Sequence, residues 1–267
     1  MKSVIAILRD QVLYLPLIFR LSIYENKSKY QMHYLGILWQ FLNPFIRVCV
    51  YWFVFGIGLR NGAPVGDTPF LLYLLLGMIP WMFISSTINQ GSNSIYNKVN
   101  LVSKMKFPVS ILPSVVIISN TFNFLVMLVI LVVIAYFYNL DFGIQLIQLP
   151  YYLLCMYVLV FSITIFASTI SVLIRDFQLL IQSVIRLFFF MTPIFWSIDN
   201  FSEKYKPFIE LNPFAYIIMG IRDSFLSGDW FYQDWRHMFY FWSLALLILF
   251  IGCIVHNNFK NKFVDYL

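Results

Sequence analysis

Long apolar runs alternate with short polar segments along nearly the whole chain. Runs at about Leu35–Leu59, Phe70–Ile88, Val109–Tyr138, Leu149–Ile174, Phe177–Phe195 and Phe239–Val255 match the roughly 17–25 residues that a helix needs to cross a bilayer. The joints between them carry turn residues, as in Asn61-Gly62-Ala63-Pro64. The pattern therefore predicts an all-α integral membrane protein with six transmembrane helices in a single domain covering residues 1–267.

Two segments depart from this alternation. Residues 4–30 are amphipathic, with Ile5, Leu8, Val12 and Leu15 on one face, Arg9, Asp10 and Gln11 between them, and Pro16 breaking the run. Such a segment is expected to lie in the membrane interface rather than cross it. Residues 197–235 are mixed, and their apolar stretch Phe214–Ile221 predicts short external helices dipping partway into the membrane before the last span.

Charge sets the orientation. Lys98, Lys104 and Lys106 lie between the second and third spans without an acidic residue, and Lys260 and Lys262 follow the last span. Lysine-rich loops stay in the cytoplasm, so both termini are expected inside and residues 139–143, with Asp141 alone, outside. The arrangement predicts a multi-pass plasma-membrane protein.

Composition agrees. The chain is 61% hydrophobic and 11% charged, whereas soluble domains hold about 25% charged residues. Its formal charge of +6 is concentrated in the cytoplasmic segments, so no nucleic acid is implied. Cys49, Cys155 and Cys253 are isolated in apolar stretches and read as packing residues. No GxxxxGK[ST] phosphate loop is present, His33, His237 and His256 lack metal-ligand spacing, and no nucleophile arrangement is evident. The chain is expected to bind no metal and to hold no catalytic residue. Asp141, Asp199, Glu203, Glu210 and Asp223 fall in external segments, where a membrane enzyme acting on polyisoprenyl phosphates would need them gathered.

The candidate chemistry lies in two polar stripes. In the first span Gln40, Asn43 and Arg47 recur at i, i+3 and i+7 and share a helix face, continued by Tyr51 and Phe55. In the fifth, Gln178, Gln182 and Arg186 recur at i, i+4 and i+8 below Phe189 and Phe190. An arginine near the bilayer centre costs about 2.5–3.5 kcal/mol on insertion scales, so it is expected to face a cavity or a partner. One reading is a path for an anionic, hydroxyl-rich substrate, with guanidinium forks for phosphate and amides for hydroxyls. The other is structural, with the amides joining helices. The cytoplasmic stretch 96–108 has the pattern of a short amphipathic helix, with Val99, Leu101, Val102 and Met105 available to a partner's groove; it reads alternatively as a loop skimming the membrane.

Tyr34-Leu35-Gly36-Ile37-Leu38-Trp39 with Asn43-Pro44, the Lys104–Pro108 segment, Arg175-Asp176, and Asn212-Pro213 followed by Arg222 resemble the polysaccharide-export permeases of the ABC-2 transporter family. Residues 51–60 with Ala63-Pro64, and 102–108, look more narrowly like the wall teichoic acid permeases, TarG type, of Gram-positive bacteria. The resemblance implies a non-catalytic membrane subunit working as two copies with two copies of a separate ATPase, which holds the ATP and Mg. It implies that Lys98, Val99, Asn100, Leu101, Val102, Lys104, Met105, Lys106 and Phe107 form the coupling helix seated on that ATPase. It implies a polyisoprenyl-diphosphate-linked polymer as cargo, here teichoic acid, with an O-antigen or capsule glycan as the alternative. In the family the first and fifth helices flank the dimer axis, the same two that carry the stripes; with Arg47 outside the family motifs and placed by periodicity alone, Trp39, Gln40, Asn43, Arg47, Tyr51, Phe55, Gln178, Gln182, Arg186, Phe189 and Phe190 are expected along the path.

Overall fold

The computed structural model describes residues 2–31, 34–59, 61–66, 68–98, 107–140, 142–198, 202, 204–260 and 263. Helices α1 (Lys2–Leu13) and α2 (Leu15–Gln31) precede α3, which runs as an α-helix over Trp39–Tyr51 and as a π-helix over Trp52–Gly58. Then come α4 (Phe70–Ser92), α5 (Leu112–Phe137), α6 (Leu149–Leu173), α7 (Phe177–Met191), α8 (Lys206–Glu210), α9 (Pro213–Phe225) and α10 (Trp235–Phe259).

Among the described residues five helices are long and apolar enough to cross a membrane: Trp39–Gly58, Phe70–Ser92, Val109–Phe137, Ile144–Leu173 and Trp235–Phe259. They follow the predicted spans closely, because about 20 consecutive apolar residues leave the backbone no way to satisfy its polar groups in lipid except as a helix. The fifth expected span, 177–195, ends early. Helix α7 holds 15 residues and stops before Pro193, which has no N–H to donate and biases Thr192 toward extended backbone; Thr192 has φ −92° and ψ 137°.

Helix α4 is the hub. Over Phe70–Ile84 it is apolar all round, as a helix buried on every side must be, and 78% of its apolar window is enclosed, against 6% for α3. Around it pack α5, α6, α7 and α9, with Leu72, Leu74, Leu76, Met78, Ile84 and Ile88 in the core. Helix α10 lies along α6, where Gly252 lets the Phe166 backbone approach within 3.1 Å of where a Cβ would sit.

The N-terminal segment is helical as predicted, but the interruption falls at Tyr14, and Pro16 sits in the first turn of α2, where its missing N–H costs little. Its polar face turns inward. Gln11 Nε2 donates to the Ser110 carbonyl at 2.9 Å, and Ser110 Oγ and Ser114 Oγ donate to Asp10 and Gln11 at 2.8 and 2.7 Å. Ile5, Leu8, Val12 and Leu15 are left exposed, the face that lipid covers.

The apolar stretch 214–221 belongs to α9, capped by Asn212, whose side chain accepts from Phe214 N and donates to Thr192 Oγ1 at 2.8 Å. The helix enters where α7 stops, burying Phe214, Ile217, Ile218, Ile221 and Phe225. Gly220 faces the Tyr152 ring so closely that a Cβ there would overlap it, and Tyr152 is boxed in by Tyr151 and Tyr216. Gly220→Ala is expected to destabilise the protein by about 1–3 kcal/mol through overpacking, lowering the melting temperature in detergent; an unchanged midpoint would show that the ring has room to move.

Candidate functional site

The first stripe keeps its predicted face. Gln40, Asn43 and Arg47 line one polar cavity of about 210 Å³ with Lys29 of α2, Ser86 and Gln90 of α4, and Asn120 and Asn123 of α5; Trp39 and Pro44 complete its α3 wall. Pro44 lies inside α3 and cannot donate to the Gln40 carbonyl one turn back. Gln40 Nε2 bridges Asn26 Oδ1 at 3.0 Å and Asn123 Oδ1 at 2.6 Å, tying the interfacial helix to the bundle.

Lys29 was not legible as part of this site. Its ammonium donates to Gln90 Oε1 at 2.8 Å and Asn120 Oδ1 at 3.2 Å, with Ser119 Oγ at 3.5 Å, all neutral oxygens. Burial holds its pKa below the ordinary lysine value; Glu25 opposes that shift and Lys98 adds to it. Glu25 is paired with Lys98 at 3.0 Å, and among the described residues no carboxylate lines the cavity. Lys29 and Arg47 thus give it a net positive charge.

The second stripe divides. Gln178 accepts from Ser92 Oγ at 2.6 Å and donates to the Asn89 carbonyl at 3.0 Å, so its amide anchors α7 to the end of α4. Gln182 is half-buried and Arg186 is exposed. Within one chain Arg186 is not brought to the cavity that holds Arg47. What does join the stripes is aromatic: Tyr51 meets Phe189 (5.3 Å between centroids), Phe55 stacks on Phe195 (4.3 Å), and Phe189 contacts both Trp81 and Phe190.

Arg222, outside both stripes, is the buried charge that holds the break after α7. Only 5% exposed, it donates to Tyr73 Oη at 2.9 Å, to the Tyr73 carbonyl at 3.2 Å, and to the carbonyls of Pro193 and Ile194 where α7 breaks. Its guanidinium also covers the Tyr73 ring at 3.6 Å. Gly77 makes room, since a Cβ there would lie 2.7 Å from Nη2 and 2.9 Å from the Ile194 oxygen. A lone arginine after an apolar run was the available signal.

Of the coupling stretch, Lys98 ends a short 3₁₀ turn and Phe107 packs near Ile95 and Leu112; Val99, Asn100, Leu101, Val102, Lys104, Met105 and Lys106 lie outside the described residues. Arg175 closes the turn after α6 with its guanidinium 4.8 Å from the Tyr96 ring. Of the five carboxylates expected on the outer face, Glu210 and Asp223 join Asp229, Asp234 and His237 around a cavity of about 170 Å³ walled by Tyr152, Tyr216, Trp230 and Phe231, and Asp141, Asp199 and Glu203 lie outside the described residues. His237 bonds to Asp234 and lies 3.3 Å from Glu210.

A family model described as ABC-2 type transporter matches residues 16–226. The chain is 26% identical over 263 residues to an O-antigen export system permease protein RfbA of Myxococcus xanthus, covering 98% of this chain and 99% of that protein. It is 26% identical over 244 residues to an RfbA of Klebsiella pneumoniae, covering 91% and 92%. Over 237 residues it is 20% identical to the polysialic acid transport protein KpsM of Escherichia coli, covering 88% and 90%.

Proposed function

The chain belongs to the ABC-2 type transporter family, and from that premise we propose that it is the permease of an ATP-driven exporter of lipid-linked polysaccharide, of the O-antigen or capsule class. The observation that carries this reading is the near full-length similarity to O-antigen export permeases. Those relatives support a glycan of that class better than the teichoic acid to which residues 51–60 and 102–108 pointed.

Permeases of this family work with ATPase partners, and in our reading ATP and Mg sit on such a partner. Helices α3 and α7 leave Arg47 and Arg186 exposed in the single chain, faces that a second copy would complete into a path around a common axis. The aromatic cluster between α3 and α7 supplies flat rings for sugars, and the arginines supply charge for a diphosphate. Both termini lie in the cytoplasm, and residues 96–107 receive the ATPase motion.

Deleting the gene in its host is expected to remove the mature glycan from the cell surface while its lipid-linked form accumulates inside. Surface glycan at the normal level would overturn the reading, and phosphate analysis of the accumulated polymer separates a neutral glycan from teichoic acid. The exposed position of Arg186 makes a second test clean. Arg186→Leu should leave folding and membrane level intact yet lower export at least tenfold, measured as surface glycan per transporter, and normal export would remove Arg186 from the path.

The acidic outer cavity is the observation that favours a membrane enzyme. On the export reading the isolated chain is expected to turn over no polyisoprenyl phosphate.

A further inference from the structure

The cationic cavity adjoins a second, apolar one. Pro44, Ile79, Met82 and Met127 line both. Beyond them a groove of about 650 Å³ runs between α3, α4 and α5, walled by residues such as Leu38, Phe45, Leu75 and Ile134. Its size falls within the about 300–1,000 Å³ of small-molecule sites, and no charged residue lines it. The polar cavity, about 210 Å³, has the volume of roughly seven waters at about 30 Å³ each, enough for a phosphate or diphosphate but not for a polymer.

A cationic pocket side by side with an apolar groove is complementary to one kind of molecule, a phosphate bearing a long hydrocarbon chain. We propose that this double cavity binds the phosphate head of a membrane lipid between Lys29 and Arg47, with its hydrocarbon chain in the α3–α5 groove.

Three features of the chain support the assignment. The charges come from two elements, α2 and α3, that line the same cavity. Lys29 has only neutral oxygens as hydrogen-bond partners, which an anion outcompetes. The amides of Gln40, Asn43, Gln90, Asn120 and Asn123 line the same cavity and orient the head without adding negative charge. The site lies where α2 meets the bundle. One chemistry has two sources here, a polyisoprenyl phosphate carrying cargo or a phospholipid of the bilayer.

The inference rests on the export reading only for the choice between those sources. Its test needs neither ATP nor transport, so either idea can fail alone. The full chain, purified in mild detergent, is equilibrated with vesicles containing undecaprenyl phosphate, the uncharged alcohol undecaprenol and phosphatidylglycerol. Lipid retained after gel filtration is then counted by mass spectrometry. Undecaprenyl phosphate should be retained at least tenfold over undecaprenol, and Lys29→Gln with Arg47→Gln should remove that preference while undecaprenol retention and the elution profile stay unchanged. Met127→Trp, which fills the junction, should lower retention of both. Preference for undecaprenyl phosphate over phosphatidylglycerol assigns the site to the carrier, and the reverse assigns it to the bilayer. Equal retention of phosphate and alcohol, or a double variant that keeps the preference, would overturn the proposal.

Discussion

Arg222→Met is expected to yield little folded protein, and what survives should melt several degrees lower in detergent. The guanidinium is the donor for the Pro193 and Ile194 carbonyls, which the break after α7 removes from any helical ladder. A methionine of similar length restores the packing but none of the hydrogen bonds. Each buried acceptor left without a donor costs roughly 1–3 kcal/mol, against a total stability of only about 5–15 kcal/mol for a typical fold. The Tyr73 hydroxyl loses its partner as well, though it still donates to the Trp196 carbonyl at 3.0 Å. Arg222→Lys should recover part of the loss, since an ammonium reaches some of these oxygens but lacks the planar fork. A methionine variant that accumulates and melts like the parent would show that the broken segment finds other donors.

The second large effect is expected on the cytoplasmic side. Leu101→Asp with Met105→Asp places two carboxylates on the apolar face that the sequence pattern assigns to the partner's groove. Burying an unpaired carboxylate costs several kcal/mol even after relaxation, enough to prevent seating. Surface glycan should fall to the level of a gene deletion, while the membrane level of the variant, read by immunoblot, matches the parent. Export that survives both substitutions would place the ATPase contact elsewhere.

The spans were readable because hydropathy is a property of consecutive residues. The Gln40–Asn43–Arg47 face was readable because its period is helical, and the structure keeps those three side chains in one cavity. The failures share a cause. Lys29 looked like the charged end of an interfacial helix, and only the packing of α2 against α4 and α5 turns it into a pocket wall. Asp10 and Gln11 were read as the interrupting polar residues of an amphipathic segment, yet Ser110 and Ser114, about a hundred residues on, receive them. The end of α7 depends on Pro193, which the apolar run Phe188–Phe195 conceals, and the carbonyls it frees are answered from α9 by Arg222. The apolar groove belongs to three helices at once, so no single stretch announces it.

The central claim is that this chain is the membrane half of an ATP-driven machine, and purification of the tagged chain from its native membrane in mild detergent tests it most directly. A P-loop ATPase should co-purify in stoichiometric amount. If no ATPase accompanies the chain across several detergents, the export reading fails at its first step.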